Sequence, residues 1–281
     1  MSGERRVWFV TGASKGIGLE TVRAALEVGD RVVATSRRPG DFAGKIQKTD
    51  DFLAVEMTIP ESVSIRHAVD QALDRFGRID VLVNNAGYSL LGSVEELSDE
   101  AVRRNFDVNV MGVLAVQRAV LPVMREQRKG HVINLASISA SVTGPATGIY
   151  SATKAAVLML TEALAAELAV FGVHATAVCP GGVRTDFLDP SSSQGAEEAT
   201  RSAYPQVRRA MAGYGRLNHN QGGDPRLVAE AFVQLTRMPD PPSRLYLGTD
   251  ALQALRFKVE DVIDQANSHI ALSQSIDGER G

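Results

Sequence analysis

The stretch Val7-Trp8-Phe9-Val10-Thr11-Gly12-Ala13-Ser14-Lys15-Gly16-Ile17-Gly18 decides the reading of this chain. Apolar, β-prone residues make a short buried strand, glycines follow at 12, 16 and 18, and a helical pattern runs over 16–28. Glycines let the backbone turn tightly and admit a pyrophosphate. The free N–H groups at the start of the helix, and its dipole, favour the negative charge. A strand before and a helix after are the context in which such a stretch cradles a dinucleotide instead of making a plain turn.

The same alternation continues downstream. Residues 7–11, 31–36, 52–56, 81–84, 131–136, 174–179 and 244–247 read as seven strands, and 16–28, 61–76, 99–127, 151–171 and 225–236 as helices between them. Parallel strands joined by right-handed helical crossovers give an α/β, doubly wound sheet with helices on both faces. No repeat or linker divides the chain, so 1–281 reads as one domain. Residues 186–223, rich in Ser and Gly, form a long polar insertion after the sixth strand. Ligands of such sheets bind beyond the carboxyl ends of the strands, which favours a substrate lid over a solvated loop. In 249–281, Leu252, Leu255, Val259, Val262, Ile263 and Ala266 recur at helical spacing, predicting a closing helix packed on the body and a frayed tail from about Leu272.

The 281 residues are 44% apolar and carry a net charge of -3, the balance of a globular protein without an overall footprint for nucleic acid or an anionic membrane. Cys179 is the only cysteine, which excludes an internal disulfide and a zinc site of several thiolates. The five histidines are scattered, and no metal is expected. The apolar run at 7–10 is too short for a signal peptide or a membrane span, and the expected address is cytoplasmic.

Chemistry enters at three places. The second strand ends Ala34-Thr35-Ser36 and continues Arg37-Arg38, with Lys15 close by in the cradle. A carboxylate there would hold a free ribose 2′-hydroxyl, whereas cations would hold a 2′-phosphate, so NADP(H) is expected over NAD(H). Tyr150 and Lys154 stand at i, i+4 on one helical face, where an ammonium can depress the phenol's pKa toward neutrality and prepare it for proton exchange. Ser137, at the end of the fifth strand, has a hydroxyl suited to holding a substrate oxygen; Ser139 is its rival if the strand continues.

Together with Asn84-Asn85-Ala86-Gly87, Asn109, and Pro180-Gly181 followed by Val183 and Thr185, these segments resemble the short-chain dehydrogenase/reductase superfamily in its compact single-domain branch. The resemblance spans about residues 5 to 250. It implies a seven-stranded Rossmann sheet and an Asn109-Ser137-Tyr150-Lys154 tetrad. In that tetrad Tyr150 is the general acid/base, and Lys154 lowers its pKa and bonds the nicotinamide ribose. Ser137 orients the substrate oxygen, and Asn109 holds a proton-relay water. It further implies that Gly12, Ser14, Lys15, Gly16, Ile17 and Gly18 cradle the pyrophosphate and Arg37 meets the ribose phosphate. Asn84, Ala86 and Gly87 line the adenine-ribose side, and Pro180, Gly181, Val183 and Thr185 hold the nicotinamide. Two departures stand out: Glu56-Met57 replaces the usual Asp-Val at the adenine, and Ala136 replaces a frequent serine before Ser137.

The expected reaction is hydride transfer between NADP(H) and a carbonyl or secondary alcohol. Leu90, Leu91, Ser139, Val142, Thr143, Pro145, Phe187, Leu188, Tyr204 and Tyr214 are the residues expected to face the substrate, and they favour a hydrophobic ketone. The rivals are an NAD-dependent alcohol dehydrogenase, an epimerase or dehydratase on the same fold, and a non-catalytic dinucleotide sensor. Apolar residues all round the helices at 99–127 and 151–171 require cover on every side. Family members use these helices as subunit interfaces, so a homodimer or homotetramer is expected; the alternative cover is the C-terminal helix of the same chain.

Overall fold

The computed structural model describes residues 5–277. Seven strands form one parallel sheet: β1 (Val7–Val10), β2 (Arg31–Ser36), β3 (Phe52–Glu56), β4 (Val81–Asn84), β5 (Gly130–Leu135), β6 (Val173–Pro180) and β7 (Arg244–Leu247), in the order β3-β2-β1-β4-β5-β6-β7. The pairing follows the period of two along β1. Val7 and Phe9 join Val33 and Val55 on one face, under the helices α2 (Ser62–Phe76), α4 (Gly112–Gln127) and α5 (Gly148–Leu168). Trp8 and Val10 join Val32 and Ala34 on the other, under α1 (Gly16–Glu27) and α8 (Pro225–Leu235). A strand buried on both faces must be apolar at every position, which is why β1 reads as a run and not as an alternation.

Two buried carboxylates pin the start of β1. Asp80 accepts from the Val7 N–H at 2.9 Å, and Asp30 accepts from Trp8 Nε1 at 2.9 Å. Asp80 is in turn held by Arg78 at 2.7 Å, so its charge is compensated. The strand order reverses between β1 and β4, which opens a crevice at their carboxyl ends.

The helix predicted over 99–127 is present but divided. α3 (Asp99–Phe106) passes through a π-turn, Asp107–Met111, into α4. Ser98 caps α3 by accepting from the Ala101 N–H.

The insertion at 186–223 is folded. A short strand Ser193–Gln194 pairs in parallel with Ser89–Leu90, and α6 (Ala196–Thr200) and α7 (Pro205–Leu217) follow. Ala199, Val207 and Met211 bury themselves with Leu91 and Ala146, and Tyr214 packs against them. The insertion therefore has a small core of its own, built partly from residues expected to face the substrate.

The C-terminal helix α9 (Thr249–Ser268) forms as predicted but does not close over the body. Ala251 is its one buried residue, while Leu252, Val259, Val262 and Ile263 are 44%, 47%, 49% and 52% exposed. Periodicity reports an apolar stripe without saying what covers it, and the body's own helices leave this stripe uncovered. Helix α10 (Ile270–Gln274) follows, so the chain is helical at Leu272, where fraying is expected from the sequence, and 278–281 lie outside the described residues.

Candidate active site

The first turn of α1 meets the crevice with no side chain capping it, leaving its N–H groups available to an anion. Gly12 has φ +61° and Gly16 φ +55°. A Cβ on Gly12 would stand 2.8 Å from Ala86 Cα, and one on Gly18 would stand 2.5 Å from Asn85 Nδ2 and 2.7 Å from the Gly12 carbonyl oxygen. The 11–18 turn and the 84–87 segment thus touch backbone to backbone. They are also cross-linked: Asn85 Nδ2 donates to the Thr11 and Gly12 carbonyls at 2.9 Å, and Thr11 Oγ1 accepts from the Asn85 and Ala86 N–H groups at 3.0 Å.

One cleft of about 850 Å³ is lined by Gly12, Ser14, Lys15, Gly16, Ile17, Arg37, Met57, Ala86, Gly87, Pro180, Gly181, Val183 and Thr185, together with Ser137, Tyr150 and Lys154. Its glycine cradle, its size and its basic wall fit a dinucleotide. Three of the expected nucleotide residues do not line it. Gly18 acts from behind, by allowing the contact with Asn85. Asn84 is buried beneath, its amide donating to Asn134 Oδ1 at 2.8 Å, and Asn85 lines the cleft instead. Glu56 is exposed at the end of β3, so Met57 is the member of that pair in the wall.

At the phosphate end, Arg37 lines the cleft beside Arg38 and Asp41, and Arg38 lies 3.4 Å from the Asp41 carboxylate. Lys15 Nζ donates to Ser191 Oγ at 2.8 Å, which ties the cradle to the 186–223 insertion.

Tyr150 enters from the first turn of α5, is buried, and lines the cleft together with Ser137. Ser137 stands where the chain leaves β5 and turns into a 3-10 segment, Ile138–Ala140. Its Oγ accepts from the Ser139 N–H at 3.1 Å. Because the strand has ended, the period-two argument for Ser139 fails, and Ser137 is the serine in the cleft.

Lys154 Nζ donates to the Leu135 carbonyl at 2.7 Å and sits 5.9 Å from the Tyr150 ring centroid. Asn109 lies in the π-turn and does not line the cleft: its Oδ1 accepts from the Tyr88 N–H at 3.1 Å, and its Nδ2 donates to the Tyr88 carbonyl at 3.0 Å and to Thr153 Oγ1 at 3.2 Å. Thr153 in turn donates to the Tyr150 carbonyl at 2.7 Å. A Cβ on Gly87 would stand 3.0 Å from Asn109 Oδ1 and 3.7 Å from Lys154 Nζ. All four tetrad residues therefore meet around the 87–88 backbone and the end of β5.

The electrostatics depart from the expectation that the ammonium acidifies the phenol. Burial pushes Tyr150 above the ordinary tyrosine value, and the nearby Ser137 hydroxyl offsets only part of that. Burial also pulls Lys154 down to about 8, since a desolvated ammonium has lost its water. The resting phenol is therefore neutral and carries its proton.

The substrate end corrects the apolar expectation. Of the ten residues expected there, Phe187 alone lines the cleft, its ring centroid 5.7 Å from that of Tyr150. Leu91 and Tyr214 belong to the lid's core, Leu90 is buried, Tyr204 bonds Glu95, and Thr143 and Pro145 are exposed. Ser192, Ser193 and Gln194 take their place, because the short strand pairing turns this segment inward. Nothing in the sequence marks that two-residue pairing. Side-chain hydrogen bonds hold the insertion. Glu96 accepts from Ser93 Oγ at 2.6 Å, Ser202 Oγ at 2.5 Å and the Ala203 N–H at 2.7 Å, while Asp189 meets Asn218 at 2.7 Å and His219 at 3.0 Å.

With this geometry in hand, the comparisons with known proteins agree. The family model described as short chain dehydrogenase matches residues 6–196. Oxidoreductase BOA17 of Botryotinia fuckeliana is 32% identical over 255 residues, covering 88% of this chain and 90% of that protein. A short-chain dehydrogenase structure from Streptomyces avermitilis superposes with a TM-score of 0.88 at 33% identity, covering 99% of this chain and 100% of the other. A Burkholderia phymatum short chain dehydrogenase/reductase in complex with NAD gives 0.81 at 26% identity, over 94% and 96% of the two chains. One from Burkholderia cenocepacia in complex with NADP gives 0.74 at 27%, over 95% and 98%. The chain belongs to the short chain dehydrogenase family. It is an oxidoreductase of that family, whose structural neighbours bind NAD or NADP.

Proposed function

We propose that this chain exchanges hydride between NADP(H) and a carbonyl or secondary alcohol, with Tyr150 passing the proton. The observation that carries the reading is that Tyr150, Ser137 and Lys154 line the same cleft as the glycine cradle. A bound nicotinamide dinucleotide supplies the hydride in reduction and takes it back in oxidation.

The chain's own residues do the rest. Ser137 and Tyr150 present two hydroxyls to one substrate oxygen. As negative charge develops there, Tyr150, neutral and carrying its proton, donates it. Lys154 keeps a cation within reach of that charge, oriented by the Leu135 carbonyl. Asn109 holds the 87–88 backbone and, through Thr153, the turn that carries Tyr150, fixing the spacing on which the transfer depends. The resemblance further implies that Asn109 holds a proton-relay water.

The preference for NADP(H) rests on Arg37 at the end of β2, with the nearby Asp41 neutralised by Arg38. For the substrate, Phe187 offers one apolar surface, while Ser193 Oγ is buried in the cleft wall without a partner. A ligand group would satisfy it, so the favoured substrate carries a hydroxyl or similar group near the reacting carbon. A homodimer or homotetramer through α4 and α5 is supported by Met111, 48% exposed in the π-turn that leads into α4, and by Met159 and Leu160, 60% and 37% exposed on α5.

The test is a panel of hydroxylated and purely apolar ketones with NADPH and with NADH, followed by absorbance. Net NADPH consumption, faster than NADH consumption and strongest with hydroxylated ketones, is the expected result. Turnover without net dinucleotide consumption would favour an epimerase or dehydratase, and binding without any turnover would favour the sensor.

A further inference from the structure

The segment that follows β2 carries a cation that neither the fold nor the proposed chemistry has used. Residues Pro39–Phe42 form a short 3-10 turn, anchored by Phe42, which is buried in the core under α1 with its ring 5.7 Å from that of Phe52. Ile46 packs on the same core. Between these two anchors the backbone passes Gly44 at φ +72°, and the Lys45 N–H donates to the Phe42 carbonyl at 3.0 Å. The Lys45 backbone is therefore held, while its side chain is exposed.

That side chain turns back to the cradle. Lys45 Nζ donates to the Ser14 carbonyl at 3.0 Å, and Ser14 lines the cleft with Lys15 and Arg37. Lys45 thus stands behind the wall, one hydrogen bond from it. The cations of this end differ in what they already hold. Arg38 faces the Asp41 carboxylate at 3.4 Å, and Lys15 is turned to Ser191 on the insertion. Among the described residues, Arg37 and Lys45 have no carboxylate partner. An ammonium has three donors, and the Ser14 carbonyl uses one of them. Because that carbonyl is a neutral acceptor, an anion arriving here gains a charge-assisted hydrogen bond from Lys45 without an ion pair having to break.

We propose that Lys45 is a second specificity-determining cation for the ribose 2′-phosphate of NADP(H), acting beside Arg37 from the loop after β2. The proposal rests on the NADP(H) reading of this cleft. The group it recognises is a phosphate monoester; a free 2′-hydroxyl carries no charge for it to meet and leaves the ammonium on the Ser14 carbonyl. Sequence reading stops at Arg37 and Arg38 because those two adjoin the strand, whereas Lys45 reaches the cradle only through the fold of 39–46.

The test is calorimetric titration of the full chain with adenosine 2′,5′-bisphosphate and with adenosine 5′-monophosphate, which differ only in the 2′-phosphate. Melting temperature is read alongside to verify the fold. The wild type is expected to bind the bisphosphate more tightly. Lys45→Gln, which keeps a donor for the Ser14 carbonyl but no charge, is expected to weaken bisphosphate binding about fivefold and to leave monophosphate binding unchanged. Lys45→Arg, which keeps the charge, is expected to hold the wild-type preference to within about twofold. A bisphosphate affinity unchanged in Lys45→Gln would overturn the proposal. So would equal losses for both nucleotides, the mark of a residue that only holds the loop. A wild type that binds the two nucleotides equally would overturn the NADP(H) reading itself, and the role of Lys45 with it.

Discussion

The two ends of the cleft are built by different means. At the nucleotide end, glycine backbone packs too closely to admit a Cβ: Gly12 against the Ala86 backbone, Gly18 against the Asn85 amide and the Gly12 carbonyl, with the Thr11 and Asn85 side chains hydrogen-bonded to backbone groups across the joint. At the lid end, side chains meet side chains: Glu96 on Ser93 and Ser202, Asp189 on Asn218 and His219, Lys15 on Ser191. A backbone contact restricts the residue type to glycine and fixes the geometry. A side-chain clasp can be made by many residue pairs and can open. Under the proposed function, the first end holds the dinucleotide and the second admits and releases the carbonyl compound.

The largest effect expected from that division is at the junction of the two ends. Tyr150→Phe removes the proton donor without disturbing the cradle, so turnover should fall by about a thousandfold while dinucleotide affinity, read by fluorescence titration, stays within a factor of two or so. Equal loss of both would mean that Tyr150 serves binding and not proton transfer.

Next comes the backbone joint. Gly18→Ala must push Asn85 or the Gly12 carbonyl aside, and overpacking of this kind costs about 1–3 kcal/mol. A lower melting temperature and weaker dinucleotide binding should appear together; an unchanged affinity would break the claim that this joint shapes the nucleotide end. Arg37→Asp should lower the ratio of NADPH to NADH affinity by about tenfold and leave the melting temperature alone. An unchanged ratio would move the phosphate contact to another cation. The smallest effect belongs to the lid. Glu96→Gln keeps the size of the clasp but weakens its acceptors, and should raise KM for the carbonyl compound several-fold with dinucleotide affinity constant. A shift in dinucleotide affinity as well would mean that the two ends are not independent.

The same division explains what the sequence reveals. All seven strands can be read from it because burial on both faces demands apolar runs, and the cradle because only glycine tolerates the contacts around Gly12 and Gly18. Tyr150, Lys154 and Ser137 are legible as motif and spacing, and the structure brings them together. The upward shift of the phenol is not legible, since spacing gives the neighbouring cation but not the burial. Asn84 misleads because the sequence offers two adjacent asparagines, and only the pairing of β4 with β5 turns Asn84 under the sheet toward Asn134. The substrate wall misleads for a related reason: Leu91 and Tyr214 are apolar because the lid needs a core, not because a ligand lies on them. Helix α9 is read correctly as amphipathic and wrongly as covered, since its stripe is equally consistent with cover from outside the chain.

The central claim is that one cleft holds a nicotinamide and a carbonyl carbon side by side, with Tyr150 delivering the proton. It is tested most directly by supplying NADPH deuterated at the transferring position of the nicotinamide, together with a ketone that the chain turns over, and locating the label by mass spectrometry and NMR. The account predicts one deuterium on the carbinol carbon of the alcohol and an exchangeable, solvent-derived proton on its oxygen. Label lost to water, or retained on the dinucleotide while product forms, would contradict it.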